Sequence, residues 1–151
     1  MFGYLLSVHS LNRYIVLVLL IVMLVRCRRM RNAEKYSHLD IRLTHLLTWS
    51  ALIQLAVGVA LYAQSPLIRY FYASYPETLH VRPARFFSME HSTVMFMSLL
   101  AMILFNLLHK PTVGKYKKQF RWYLVILILI FVNVPWPFSP VVARPWLTLI
   151  F

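Results

Sequence analysis

Four runs of apolar side chains dominate the chain, each interrupted only by isolated polar residues, with Arg- and Lys-rich stretches between them. They fall at 4–25, 43–63, 88–108 and 122–138. Each approaches the roughly 20 residues that carry a helix across a hydrocarbon layer of about 30 Å. None alternates apolar and polar residues as a half-buried strand does. Backbone groups in lipid must be satisfied within the segment, which selects helix. The pattern predicts an all-α integral membrane domain over 1–151, a four-helix up-down-up-down bundle joined by mostly short connections. Pro135 and Pro137 lack the N–H that continues a helix, so the fourth helix is expected to stop or kink near Val134.

The longest connection follows the second run and mixes Tyr70, Phe71, Tyr72 and Tyr75 with Arg69, Arg82 and Arg85. Aromatic and basic side chains together suit the headgroup zone. This connection is expected either to lie flat on the outer surface or to fold over the helix ends as a cap. Ala56 and Ala60 in the second run are spaced as a small-xxx-small pair, which suits helix packing within the chain, with dimerisation as the alternative.

Composition agrees with the pattern: 60% hydrophobic residues and a mean hydropathy of +0.65 over 151 residues exceed what a soluble domain of this length carries. The net charge of +12 would fit a nucleic-acid binder, but its distribution does not. Arg26, Arg28, Arg29, Arg31, Lys35 and Arg42 lie between the first two runs, and Lys110, Lys115, Lys117, Lys118 and Arg121 between the last two. The second connection holds only Arg69, Arg82 and Arg85, and the tail only Arg144. Eleven against four follows the positive-inside rule. The expected location is a bacterial inner (cytoplasmic) membrane, multi-pass, with both termini periplasmic and the lipid bilayer, not nucleic acid, as partner. The start MFGYLLSVHS carries no basic residue, and its charges follow the apolar run, so the first run reads as a retained span rather than a cleaved signal. The single Cys27 has no partner for an internal disulfide.

Candidate chemistry lies in the few polar residues inside the runs: His9, Asn12, Arg13, His45, Gln54, Glu90, His91, Asn106 and Asn133. Ionisable groups at such positions are costly. His9 and Arg13, four apart, share one face of the first helix. His9 lies roughly 7–8 Å into its run and His91 roughly 5 Å into the third, which runs in the same direction. In a four-helix square these two helices are diagonal, and their imidazoles would face each other across the core. Two opposed imidazoles at one level are what a b-type haem iron takes as axial ligands. His9 and His91 are therefore the candidate metal ligands, with Leu5, Leu6, Phe86, Phe87 and Met95 against the porphyrin and Arg82 and Arg85 near the propionates. Arg13 needs a counter-group, for which Glu90 is the nearest acid; Glu90 would alternatively take the second ring proton of His9.

Plainer readings stand beside this one. A histidine near a helix end can simply place its ring in the headgroups, and His45 at the inner end of its run reads that way. Met89, Met95, Met97 and Met102 read as packing, which leaves copper a minor option. His38 and His109 fall in inner connections. No CxxCH is present for covalent haem, no close set of three or four ligands for zinc, and no phosphate loop or nucleophile triad.

HSLNRY, QLAVGVALYAQSP, RFFSMEH and PWPFSP, in this order, resemble a group of small, largely uncharacterised four-span membrane proteins of Bacteroidota loosely described as cytochrome b-like. The resemblance runs from His9 to about Pro145 and implies His9, Arg13, Glu90 and His91 as site residues. The chain departs from the group at Leu52, where relatives often carry a histidine. The expected function is a small electron carrier rather than a stand-alone enzyme, with no catalytic residue, haem b as cofactor, and quinone or a redox protein as partner. The alternative is a haem-free accessory or assembly subunit of a larger membrane complex or homo-oligomer. A transporter using Arg13 and Glu90 is a third reading.

Overall fold

In a computed structural model of the chain, residues 1–33, 35–108, 115–139, 142 and 145 are described. His109, Lys110, Arg144 and Trp146 fall outside them. The described residues are helical and contain no strand. Helix α1 spans Phe2–Arg29 and α2 His38–Gln64. The short α3, Pro66–Ala73, is followed by a 3-10 turn at Glu77–His80. Then α4 (Arg82–Arg85), a π turn (Phe86–Glu90) and α5 (His91–Leu108) run on as one 27-residue helix. Helix α6 spans Lys115–Asn133.

Local chemistry sets the ends. Ser37 caps α2 by accepting from the Asp40 N–H at 3.2 Å, and Ser65 caps α3 from Ile68 at 3.4 Å, with Pro66 in the first turn where its missing N–H costs nothing. Helix α6 stops at Asn133, directly before Pro135 and Pro137, as the sequence predicts.

The long helices pack in the cyclic order α1, α2, α5, α6, with α6 closing on α1. Cross-helix bonds fix each neighbouring pair as antiparallel. Asn12 meets Ser50 while Arg26 meets Asp40; Thr48 meets Asn106 while Tyr62 meets Ser88; Asn106 meets Tyr123 while His91 meets Asn133. This order makes α1 and α5 diagonal. Leu20, Met23, Leu47, Ala51, Met102, Tyr123 and Ile126 fill the centre.

The exterior of the long helices carries many large apolar side chains. Val18, Ile21 and Val25 of α1, Trp49 and Val59 of α2, Met97 and Leu107 of α5, and Val125 and Val132 of α6 all stand exposed. A helix apolar on every side belongs in a core or a bilayer. Among the described residues three helices are long and apolar enough to cross a membrane: Phe2–Arg29, His38–Gln64 and Arg82–Leu108. Helix α6, expected as the fourth span, begins KYKKQFRW. From Trp122 to Asn133 it rises only about 18 Å. The long connection after α2 folds back on the next helix: α3 packs on α4 and on the π turn around Ile68, Phe71, Thr78 and Ala84.

Candidate functional site

His9 and His91 project from diagonal helices toward a common region in the outer half. The two rings and the Arg13 guanidinium are close enough to feel one another's charge. Two amide side chains bonded across the interface, Asn12 on α1 and Gln54 on α2, set the orientation of His9. Asn12 Nδ2 donates to the Ser50 carbonyl at 2.9 Å and to Gln54 Oε1 at 2.9 Å. Gln54 must then present its nitrogen to α1, where Nε2 lies 3.1 Å from His9 Nε2 and 3.2 Å from the His9 carbonyl. An amide N–H donates, so His9 Nε2 accepts and its proton sits on Nδ1. That Nδ1 is sealed from the surface and has no hydrogen-bond partner. A buried unpaired donor costs about 1–3 kcal/mol. The ring lies on Gly58, where an added Cβ would meet His9 Cε1 at 3.4 Å.

His91 is held the other way round. Its N–H closes the π turn onto the Phe86 carbonyl, which gathers Phe86 and Phe87 around the ring with centroids at 5.6 and 5.7 Å. Single π turns inside α-helices recur at functional sites. The turn also loosens the carbonyl ladder, and the Ser88 oxygen accepts from the Tyr62 and Ser92 hydroxyls at 3.1 and 3.0 Å. His91 Nδ1 lies 2.8 Å from the Asn133 carbonyl, the last of α6. That oxygen would ordinarily receive the N–H of residue 137, and Pro137 has none. The imidazole supplies the missing donor, which leaves Nε2 as the lone-pair nitrogen.

Arg13 donates to the Tyr14 hydroxyl at 3.1 Å and to Ser10 Oγ at 3.4 Å, and its guanidinium lies 4.8 Å from the Tyr14 ring centroid and 6.0 Å from that of Trp136. Glu90 accepts from Arg82 at 2.7 Å and Arg85 at 3.0 Å. The acid expected beside Arg13 or His9 is thus held by the two arginines expected at the cofactor's rim. They sit eight and five residues before it on the same continuous helix. The structure therefore places His9, His91 and Arg13 within range of one another's charge and collects Arg82, Arg85 and Glu90 into a second group.

Asn12, Gln54 and Gly58 carry the geometry of His9 without having been singled out for it. Asn12 and Gln54 were legible as polar residues in apolar runs, and Asn12 shares the His9 face at i+3. Their joint role depends on helix register, which spacing does not give.

A second polar cluster fills the inner half. Asp40 is wholly buried and receives the Arg26 guanidinium and, at 2.6 Å, the Tyr116 hydroxyl. Tyr36 donates to Gln119 at 2.9 Å and pairs with Thr44 at 2.9 Å. Gln119 donates to Tyr123 at 2.8 Å, Tyr123 to Asn106 at 2.7 Å, and Asn106 to Thr48 at 3.0 Å. Burial pushes the Tyr36 phenol above its ordinary range even against these bonds. The buried Cys27 thiol abuts Gln119 at 3.5 Å.

Among the described residues no three His, Cys, Asp or Glu side chains gather as a metal cluster. This site offers two imidazoles instead, of which His91 keeps Nε2 as a lone-pair nitrogen while His9 Nε2 is held by Gln54. His91 has the second-nitrogen bond to a carbonyl that orients axial histidines. His9 would free its Nε2 by releasing Gln54, whose amide keeps the His9 carbonyl as an acceptor. No family model, no curated protein and no solved structure matches the chain.

Proposed function

We propose that the protein is a four-helix integral membrane protein that holds haem b near the outer face between His9 and His91 and passes electrons to and from quinone or a redox protein. The observation that carries the reading is the pair itself: two half-buried imidazoles on diagonal helices, each oriented by a specific bond through one nitrogen. Bound haem would supply one-electron chemistry. The chain's own residues supply the rest. His91 and His9 would hold it through their ring nitrogens, Phe86 and Phe87 would exclude water beside His91, and Arg13 would add positive charge that favours the reduced, more negative state of the site. The resemblance to cytochrome b-like proteins of Bacteroidota points the same way.

Membrane insertion is supported by the three spanning-length helices, the apolar exterior, and the gathering of Arg26, Arg28, Arg29, Lys115, Lys117 and Lys118 at one end. We assign that end to the cytoplasm and both termini to the periplasm of a bacterial inner membrane. Terminal reporter fusions should be active outside the cytoplasm; activity only inside would reverse the topology.

The spectrum tests the haem. Detergent-solubilised protein should show a Soret band and a sharp reduced α-band, both lost in His91→Ala. The second reading, a haem-free subunit of a larger complex, is favoured by the bond between Gln54 and His9 Nε2 and by the pairing of Arg82 and Arg85 with Glu90. Colourless protein that co-purifies with other subunits would establish it.

A further inference from the structure

Helix α6 turns part of its positive charge outward, beside an aromatic ring. Lys117, Lys118 and Arg121 are exposed, whereas Lys115 is buried with its ammonium 4.5 Å from the Tyr36 ring centroid. Lys118, Arg121 and Trp122, at i, i+3 and i+4, share one face of the helix. Among the described residues these three line a cleft of about 320 Å³. Trp122 is exposed, yet its ring is backed by Phe105 of α5 with centroids 5.8 Å apart. Below it the same face continues in exposed Val125 and Leu129, at i+3 and i+7 from Trp122.

Like charges three and four residues apart repel on a helix face. No acid on α6 or after it relieves them, since the chain has no Asp or Glu beyond Glu90. Among the described residues, Asp40 is wholly buried and held by Arg26 and Tyr116, while Glu77 and Glu90 belong to the opposite end of the helices. Depth adds a second constraint. The apolar part of α6 rises only about 18 Å, well short of the roughly 30 Å of a hydrocarbon core. Either headgroups at the basic end come inward to the cleft, or Lys118 and Arg121 reach outward to them. A zwitterionic headgroup would bring its own ammonium beside these cations with no carboxylate to receive it. An anionic one brings only the phosphate.

We propose that Lys118, Arg121 and Trp122 form a binding site for the headgroup of an anionic phospholipid. The proposal rests on the membrane reading and deepens it by naming the lipid class and its seat. The phosphodiester accepts from the Lys118 ammonium and the Arg121 guanidinium, the glycerol backbone lies at Trp122, and an acyl chain follows Val125 and Leu129. Each basic side chain at such a surface favours an anionic lipid by about fivefold, so two give up to about 30-fold.

The test uses the full chain in phosphatidylcholine vesicles that contain a small fraction of dibrominated phosphatidylglycerol or of dibrominated phosphatidylcholine with the same acyl chains. Bromine quenches tryptophan on contact, and the difference between each protein and its Trp122→Phe counterpart isolates the Trp122 signal. Wild type should select phosphatidylglycerol at Trp122 by about 5- to 30-fold. Lys118→Gln combined with Arg121→Gln should abolish the selection. Arg28→Gln combined with Arg29→Gln removes the same charge from exposed positions of α1 at the same end and should keep it. Equal quenching of wild type by the two lipids overturns the proposal. So does an equal loss in both double variants, which would leave only the diffuse field of the basic end. Should the α6 double variant not fold, Arg121→Gln alone decides: selection should fall by up to about fivefold, and unchanged selection overturns the proposal. Protein that fails to enter the vesicles, with no tryptophan quenched by either lipid, overturns the membrane reading instead.

Discussion

The inner and outer halves of the helix assembly bury similar polar residues and treat them differently. In the inner half, Asp40, Tyr116, Tyr36, Gln119, Tyr123, Asn106 and Thr48 are matched donor to acceptor, and hydroxyls end on carbonyls such as that of Thr44. Gln119, which is fully buried, touches residues from α1, the α1–α2 connection, α2 and its own helix. In the outer half, His9 Nδ1 and Ser88 Oγ are buried without partners although amides and hydroxyls surround them. A satisfied network holds helices together. Each unpaired group costs about 1–3 kcal/mol, so that region adds less to holding the helices together.

The inner network also explains how α6 stays with the others. Its apolar stretch is the shortest, and Lys115, Lys117, Lys118 and Arg121 occupy its first turns. Tyr116, Gln119 and Tyr123 tie those same turns to α2 and to the α1–α2 connection. Asn106 on α5 completes the attachment through Tyr123.

Four substitutions would break or sharpen the contrast, in falling order of effect on stability. Asp40→Ala should destabilise most, by about 3–5 kcal/mol, because it strands a partly buried Arg26 and the Tyr116 hydroxyl. Reversible unfolding in mixed micelles reads this, and a loss below about 1 kcal/mol would mean that the inner network does not hold the helices. Gln119→Leu keeps volume and removes the shared amide, leaving Tyr36, Thr44 and Tyr123 short of a partner. The same assay should show a loss of about 1–3 kcal/mol with the visible spectrum unmoved. His91→Ala should reverse that profile, with absorption abolished and the helix signal by circular dichroism retained. Gly58→Ala is the mildest. Its Cβ would make ordinary contact with the His9 ring, so stability should hold or rise by up to about 1 kcal/mol, while a shifted Soret band would place the haem edge over α2.

Much of the fold was legible in the residues. The apolar runs located all four long helices, and Pro135 with Pro137 located the end of α6. The ends moved outward where charged residues continue a helix beyond its apolar part. Helix α1 reaches Arg29, and Arg26 uses the extra turn to meet Asp40. The third run was expected from Ser88, but α4 and the π turn extend it back to Arg82. A π turn has no compositional mark of its own, so periodicity could not show it. His9 and His91 stood out because ionisable residues in apolar runs are rare. Their hydrogen-bond partners did not, because Gln54 and Asn133 lie 45 and 42 residues away and depend on how neighbouring helices slide past each other. Asp40 was passed over among the inner charges, although the chain has only four acidic residues and this one directly precedes an apolar run.

The visible spectrum of reduced protein from haem-replete cells, recorded for wild type, His9→Ala, His91→Ala and His45→Ala, tests the outer site most directly. A haem held between diagonal histidines predicts a b-type spectrum in wild type and in His45→Ala, a changed spin state in His9→Ala, and no bound haem in His91→Ala. Folded wild-type protein without a Soret band, or an identical spectrum in all four proteins, would contradict it.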